Sequence, residues 1–320
     1  MMETPYVWNY ADPYEYIKRV EKNTMPPLII TVAITGALGG KEENPNFPEL
    51  PEEQAEATYA AYKAGAAAVH IHARDETGAN GSSEPERFRE VNRLVRKLCP
   101  DIIVGNSTGL EPWRPREESM RVLDAEPEVA SLNMGLIGGR KVVQKKRLPP
   151  LLGRPEDVTN LALLAVTWEE TERIAKICLE RNIKPEMEVY YSSMLWAVQN
   201  ILKKDLVKKP YWLQLIFSSG FEFPTADSLT KMVHSLPQDC LFSVIGVGPH
   251  QLPLTTMSII MGGHVRVGLE DNLFYRRGEL ATNAQLVERT VRIAKELGRE
   301  IATPSQAREM LGLSQTPRQW

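Results

Sequence analysis

At 320 residues the chain is one large domain or two small ones, and 42% hydrophobic with 25% charged residues is the composition of an ordinary soluble globular protein. A formal net charge of −3 gives no support to a general nucleic-acid or membrane-surface role, and no apolar run approaches a membrane span. The N-terminus has no secretory apolar stretch, and three scattered cysteines (Cys99, Cys178, Cys240) form no metal spacing and leave an odd thiol, which points to a reducing cytoplasm.

Residues 1–26, with Tyr6, Trp8, Tyr10 and Tyr14, read as an extra arm that packs on the domain or on a neighbouring subunit; residues 27–320 read as one catalytic domain. Pro27 to Ala33 is a buried strand, followed by Thr35-Gly36-Ala37-Leu38-Gly39-Gly40. Pro51 to Lys63 is helical, with Glu52 and Glu53 suiting the positive end of the helix dipole. Ala68 to His72 is a second strand, Glu84 to Leu98 an amphipathic helix, and Ile102 to Val104 a third strand running into Asn106-Ser107-Thr108-Gly109. A short helix near Pro115 to Leu123 leads to a strand at Val129 to Leu132, then to a long loop containing Arg140, Lys141, Lys145, Lys146 and Arg147. Helices at Trp168 to Arg181, Met194 to Lys203, Ser228 to Leu236 and Leu252 to Met261 alternate with strands at Pro185 to Tyr190, Tyr211 to Ile216, Leu241 to Ile245 and His264 to Val267. Asn283 to Leu297 is the helix after the last strand, and Pro304 to Leu313 adds one more.

Most of these eight strands are apolar on both faces, the mark of a parallel sheet covered by helices. Eight βα units in about 250 residues fit a closed (β/α)8 barrel with an N-terminal arm and a C-terminal extra helix. A doubly wound open sheet is the alternative, but no Gly-x-Gly-x-x-Gly follows the first strand.

Chemistry in such a barrel sits at the C-terminal strand ends, and polar residues gather there. His70 and His72 are two apart in a strand and project together, so they can grip one divalent ion; otherwise they are one packed and one hydrogen-bonded histidine. Ser107 and Thr108 follow the third strand, Ser131 and Asn133 end the fourth, and Glu186 and Glu188 share a face of the fifth. Alternation along the eighth puts His264, Arg266 and Glu270 on one face. An inward Glu270 beside the histidine pair makes a His2Glu set with open positions, as a catalytic zinc site needs. Arg266 then suits a substrate carboxylate, or serves as an ion-pair partner of Asp271.

The segments Thr35-Gly36-Ala37, His70-Ile71-His72-Ala73-Arg74-Asp75, Asn106-Ser107-Thr108-Gly109, Ser131-Leu132-Asn133, Pro185 to Tyr190 and Gly262-Gly263-His264 through Glu270-Asp271-Asn272 resemble the β-keto acid cleavage enzymes, from about Pro27 to Leu313. The resemblance implies a TIM barrel with zinc on His70, His72 and Glu270. It implies a Ser–Asp–Arg group at Ser107, Asp271 and Arg266, and substrate contacts at Ser131, Asn133 and Glu188. It also implies a reaction of a β-keto acid with acetyl-CoA that yields acetoacetate and a new acyl-CoA, in a homo-oligomer that is often a tetramer. Two departures concern the substrate. Leu38 stands where members acting on an amino-substituted substrate have Glu, and Tyr191 stands where they have an acidic residue.

CoA phosphates require cations or backbone amides. The basic residues of the loop after the fourth strand are candidates unless they simply form a solvated loop, and Gly246-Val247-Gly248-Pro249 is a second candidate cradle. A metal-dependent aldolase that uses no CoA would share the barrel and the metal.

Overall fold

The computed structural model describes residues 5–109, 111 and 115–320. Eight strands, β1 (Ile30–Ala33), β2 (Ala68–Ile71), β3 (Ile103–Asn106), β4 (Val129–Asn133), β5 (Lys184–Val189), β6 (Tyr211–Phe217), β7 (Cys240–Gly246) and β8 (His264–Val267), form a closed barrel. Each pairs in parallel with the next, and β8 closes the ring on β1 through Ile30↔Val265 and Val32↔Val267. Closure excludes the doubly wound alternative. No helix among the described residues is long and apolar enough to cross a membrane.

The α-helices among the described residues are α1 (Pro13–Glu21), α2 (Pro51–Ala64), α3 (Pro85–Leu98), α4 (Arg116–Met120), α5 (Trp168–Glu180), α6 (Leu195–Lys203), α7 (Ala226–His234), α8 (Gln251–Ile260), α9 (Asn283–Glu296) and α10 (Pro304–Leu311). Their ends follow local chemistry. Thr167 caps α5 by accepting from the Glu170 N–H, and α2 stops at Gly65, whose φ of +119° a side chain would resist.

Ahead of β1 the chain packs on the barrel: Trp8 and Tyr10 are buried, and the Tyr10 ring meets Phe242 of β7 edge-on at 4.8 Å. The last helix, α10, closes the N-terminal end of the barrel. Met310 and Leu311 pack there with Ile29, Ala67, Ile103, Val129, Trp212 and Leu241, the Met310 and Leu311 burials each contributing on the order of 1.5–3 kcal/mol.

Two expectations are corrected. The segment after β4 is not a loop but an antiparallel ribbon, Ile137–Gln144 paired with Val158–Leu164. Gly138, Gly139, Arg140 and Lys141 hide its alternation in the sequence. The alternation of β8 also does not run on to residue 270. The strand ends at Val267, and Gly268, at φ +144°, turns the chain where a Cβ would meet the Ala33 carbonyl oxygen at 2.1 Å.

Candidate active site

The turn at Gly268 sends Glu270 back across the barrel mouth towards β2. There the His72 Nε2 lies 3.5 Å from Glu270 Oε1 and the His70 Nε2 lies 3.7 Å from Glu270 Oε2. Gly36, just past β1, makes the room: a Cβ on it would stand 2.8 Å from Glu270 Cγ. One ligand atom from each of His70, His72 and Glu270 falls within 4.8 Å of the others. The Glu270 Oε2 is buried without a hydrogen-bond partner. Ligands held ~2.0–2.2 Å from one ion in a tetrahedron stand about 3.4 Å apart, so these three residues fit a divalent metal. Burial keeps the His72 imidazole below its usual pKa, favouring the neutral ligand form. For His70, burial is outweighed by carboxylates including Glu270 and Glu186, which favour a positive charge at that spot.

Arg266 comes inward from β8 and is buried. Its Nε donates to Asp271 Oδ2 at 2.9 Å, and its Nη2 donates to Asp271 Oδ1 and to Glu270 Oε1, each at 2.7 Å. The ion pair with Asp271 is therefore present, and Nη1 is left facing Glu188 at 3.8 Å. Burial alone would lower the Arg266 pKa, but Asp271 and Glu270 hold it well above the ordinary value. Burial opposes the Glu270 charge too, yet Arg266, His72 and His70 keep that carboxyl well below the usual range. Glu188 goes the other way, raised by burial that Arg266 only partly offsets, and its Oε2 accepts from the Tyr190 hydroxyl at 3.1 Å.

The remaining positions are brought together in part. Ser107 and Ser131 are buried with their hydroxyls 3.5 Å apart, and the Thr108 N–H donates to Ser131 Oγ at 2.9 Å. Ser107 makes no hydrogen bond to Arg266 or Asp271, so that trio is joined only at its Arg–Asp edge. Asn133 is buried opposite Glu188 in the β4–β5 register. Leu38 is half-buried, and its carbonyl accepts from Gln144 Nε2 at 3.2 Å. His264 does not join the site: its Nδ1 accepts from the Ile29 N–H at 3.0 Å, at the opposite end of the strand.

Two residues named in the sequence reading were given no role there. Arg74 is buried and donates to the Gly36 carbonyl, to that of Gly39 at 2.6 Å and to that of Gly78 at 3.1 Å, bracing the segment that carries Gly36 and Leu38. Its place in His-x-His-x-Arg was the available signal. Glu186, two residues before Glu188 on the same face, sits beside His70.

The candidate CoA cradles fare less well. Arg147 is buried and pairs with Glu49 at 2.6 Å and Glu42 at 3.7 Å, so it is not offered to a phosphate. Lys145 pairs with Asp157 at 3.0 Å, Lys141 and Lys146 are exposed, and the Arg140 side chain lies outside the described residues. The Val247 and Gly248 amides already donate to the carbonyls of Phe217 and Asp271, at 3.0 and 2.7 Å.

A family model described as beta-keto acid cleavage enzyme matches residues 27–313. The chain belongs to the beta-keto acid cleavage enzyme family. It is 38% identical to the 3-keto-5-aminohexanoate cleavage enzyme of Fusobacterium nucleatum, over 90% of this chain and 99% of the relative. It is 36% identical to the 3-oxoadipate:acetyl-CoA acetyltransferase of Cupriavidus necator, over 90% and 95%. With the 3,5-dioxohexanoate:acetyl-CoA acetone transferase of Paraburkholderia graminis the identity is 31%, over 91% and 97%. The chain is thus an enzyme of carbon–carbon bond cleavage and acyl transfer. The ternary complex of ObcA with C4-CoA adduct and oxalate superposes with a TM-score of 0.65 at 21% identity, covering 84% of this enzyme and 68% of that chain; at this identity the likeness is one of fold.

Proposed function

We propose that this enzyme condenses a β-keto acid with acetyl-CoA, releasing acetoacetate and a new acyl-CoA, with one zinc ion held by His70, His72 and Glu270. The observation that carries the reading is the convergence of those three residues beside a buried, doubly paired Arg266 at the mouth of a family barrel. Relatives whose names include acetyl-CoA support the co-substrate.

A bound divalent ion supplies a Lewis acid that polarises the substrate ketone. Arg266 binds the substrate carboxylate through Nη1 and stabilises charge that builds on the reacting oxygens, while Asp271 and Glu270 hold its fork in place. C2 loses a proton, and the carbanion attacks the thioester carbonyl. The released CoA thiolate adds to the original ketone, and the C2–C3 bond breaks, leaving the new acyl-CoA and an acetoacetate carbanion that takes a proton back at C2. Ser107 hydrogen-bonds the reacting oxygen or relays the proton; Ser131, Asn133 and Glu188 line the pocket.

Leu38 offers apolar contact and no counter-charge, so the preferred substrate carries an uncharged tail. Exposed Val143, Leu161 and Leu163 on the ribbon give a homo-oligomer, a tetramer, an apolar face to cover. Residues 27–320 act as the catalytic unit with 1–26 as its arm, in the cytoplasm.

The test is a panel of β-keto acids with acetyl-CoA, following free thiol and the mass of the acyl-CoA formed, with elemental analysis of the protein. New acyl-CoA and one zinc per chain, lost in the His70→Ala, His72→Ala double variant, is the expected result. Full zinc occupancy in that variant, or cleavage that proceeds without acetyl-CoA, overturns the reading.

A further inference from the structure

Glu186 takes no part in the steps above, yet its carboxylate is buried and held from two sides. It points inward from β5 at 5% exposure. Its Oε1 accepts two hydrogen bonds from β6, from Trp212 Nε1 at 3.1 Å and from Gln214 Nε2 at 2.9 Å. Those two donors fix which oxygen is which, and Oε2 is left facing His70 Nδ1 at 3.5 Å. That ring nitrogen is buried and has no hydrogen-bond partner. The other nitrogen, Nε2, faces Glu270.

We propose that Glu186 is a positioning residue for the metal site: its Oε2 keeps the His70 proton on Nδ1, so that Nε2 presents a lone pair to the ion alongside His72 and Glu270. The inference rests on the His2Glu metal reading above and adds the reason why His70 presents that nitrogen. An imidazole carries one proton when neutral, and the hydrogen bond made by one nitrogen decides what the other can ligate.

The geometry makes an unusual demand on the isosteric variant. In Glu186→Gln the amide oxygen must stay on the Trp212 side, because turning the NH2 group there would set it against the indole N–H, which can only donate, even if the Gln214 amide turned its own oxygen round. The NH2 group is then pinned against His70 Nδ1. Nδ1 must accept, the ring proton moves to Nε2, and the ligating lone pair is lost. Glu186→Ala removes more atoms but leaves the ring free to choose its tautomer. A role confined to packing and hydrogen bonding would make Ala the worse substitution; a positioning role makes Gln at least as damaging to metal binding as Ala.

The experiment titrates zinc into metal-stripped protein by chelator competition for wild type, Glu186→Gln and Glu186→Ala. Long-range 15N–1H spectra of the metal-free proteins above the imidazole titration range report the His70 tautomer, with His70→Ala assigning the signal. The expected result is zinc affinity about 10–100-fold weaker in Glu186→Gln, no weaker in Ala than in Gln, and the His70 proton on Nδ1 in wild type but on Nε2 in Glu186→Gln. Wild-type zinc affinity in Glu186→Gln, or the proton on Nε2 in the wild-type protein, overturns the proposal. If Glu186→Gln fails to fold, the wild-type tautomer alone decides. Wild-type protein that takes up no zinc sinks the metal reading itself, an outcome distinct from equal binding by wild type and variant.

Discussion

Gly36→Ala isolates one contact of the site. The added Cβ would stand 2.8 Å from Glu270 Cγ, with the carboxyl carbon at 3.5 Å. Carbon atoms rest comfortably at about 3.5–4.0 Å, so the middle of the Glu270 side chain has to withdraw by about 1 Å. It has little freedom to do so, since Oε1 accepts from Arg266 Nη2 at 2.7 Å and both histidines stand within 3.7 Å of the carboxylate. Metal–ligand distances tolerate only ~0.2 Å, and a misplacement of 1 Å at a reacting centre costs roughly 100-fold. The backbone at residue 36 is outside the left-handed region, so alanine adds no strain of its own. We expect zinc affinity to fall at least tenfold and kcat/KM about 100-fold, with the melting temperature of metal-free protein nearly unchanged. Chelator competition, acyl-CoA formation and thermal unfolding measure the three. Wild-type affinity and turnover in the variant would refute the placement of Glu270 against Gly36.

Arg266→Lys keeps the charge but loses the planar fork that serves Asp271 and Glu270 together; kcat/KM should fall about 100-fold or more with zinc content unchanged, and unaltered kinetics would make Arg266 a structural residue. Leu38→Glu should shift kcat/KM from a β-keto acid with an uncharged tail towards 3-keto-5-aminohexanoate; an unmodified enzyme that already prefers the amino compound shows that Leu38 does not face the substrate's distal end. Burial lowers Lys184 from 10.5 to about 8, and among the described residues its Nζ has only the Lys208 carbonyl as hydrogen-bond partner, at 3.1 Å. Between those values the unfolded chain binds the extra proton, so stability rises with pH through that window and the penalty is full below it. Lys184→Met should therefore be more stable than wild type near neutral pH, by at most about 3 kcal/mol, and should flatten that rise; parallel urea-unfolding profiles against pH would contradict it.

Local pattern was enough for much of this protein. Runs such as Leu28-Ile29-Ile30 and Val129-Ala130 repeat between amphipathic helices, which is sufficient for a parallel sheet wrapped by helices, and the two-residue spacing of His70 and His72 puts both rings on one face. Alternation is a property of neighbouring residues, and it failed where the chain stopped being a strand. It placed Glu270 inward and named Asp271 as a partner for Arg266, but it could not show that both carboxylates grip the same guanidinium, because Gly268 turns the backbone ahead of them. Closure of the ring rests on Ile30↔Val265, a pairing between residues at the two ends of the barrel segment that no local window contains. The fate of individual charges was equally non-local. Arg147 looked like a phosphate ligand in a basic run, yet it is buried against Glu49 and Glu42 of the β1–α2 segment. Glu186 looked like one of two similar carboxylates, yet Trp212 and Gln214, from the next strand round the barrel, turn it towards His70. Which residues face inward is set by the period of the strand. What each of them then touches is set by the register and closure of eight strands, because a side chain's partners in a barrel come from other strands and not from its own.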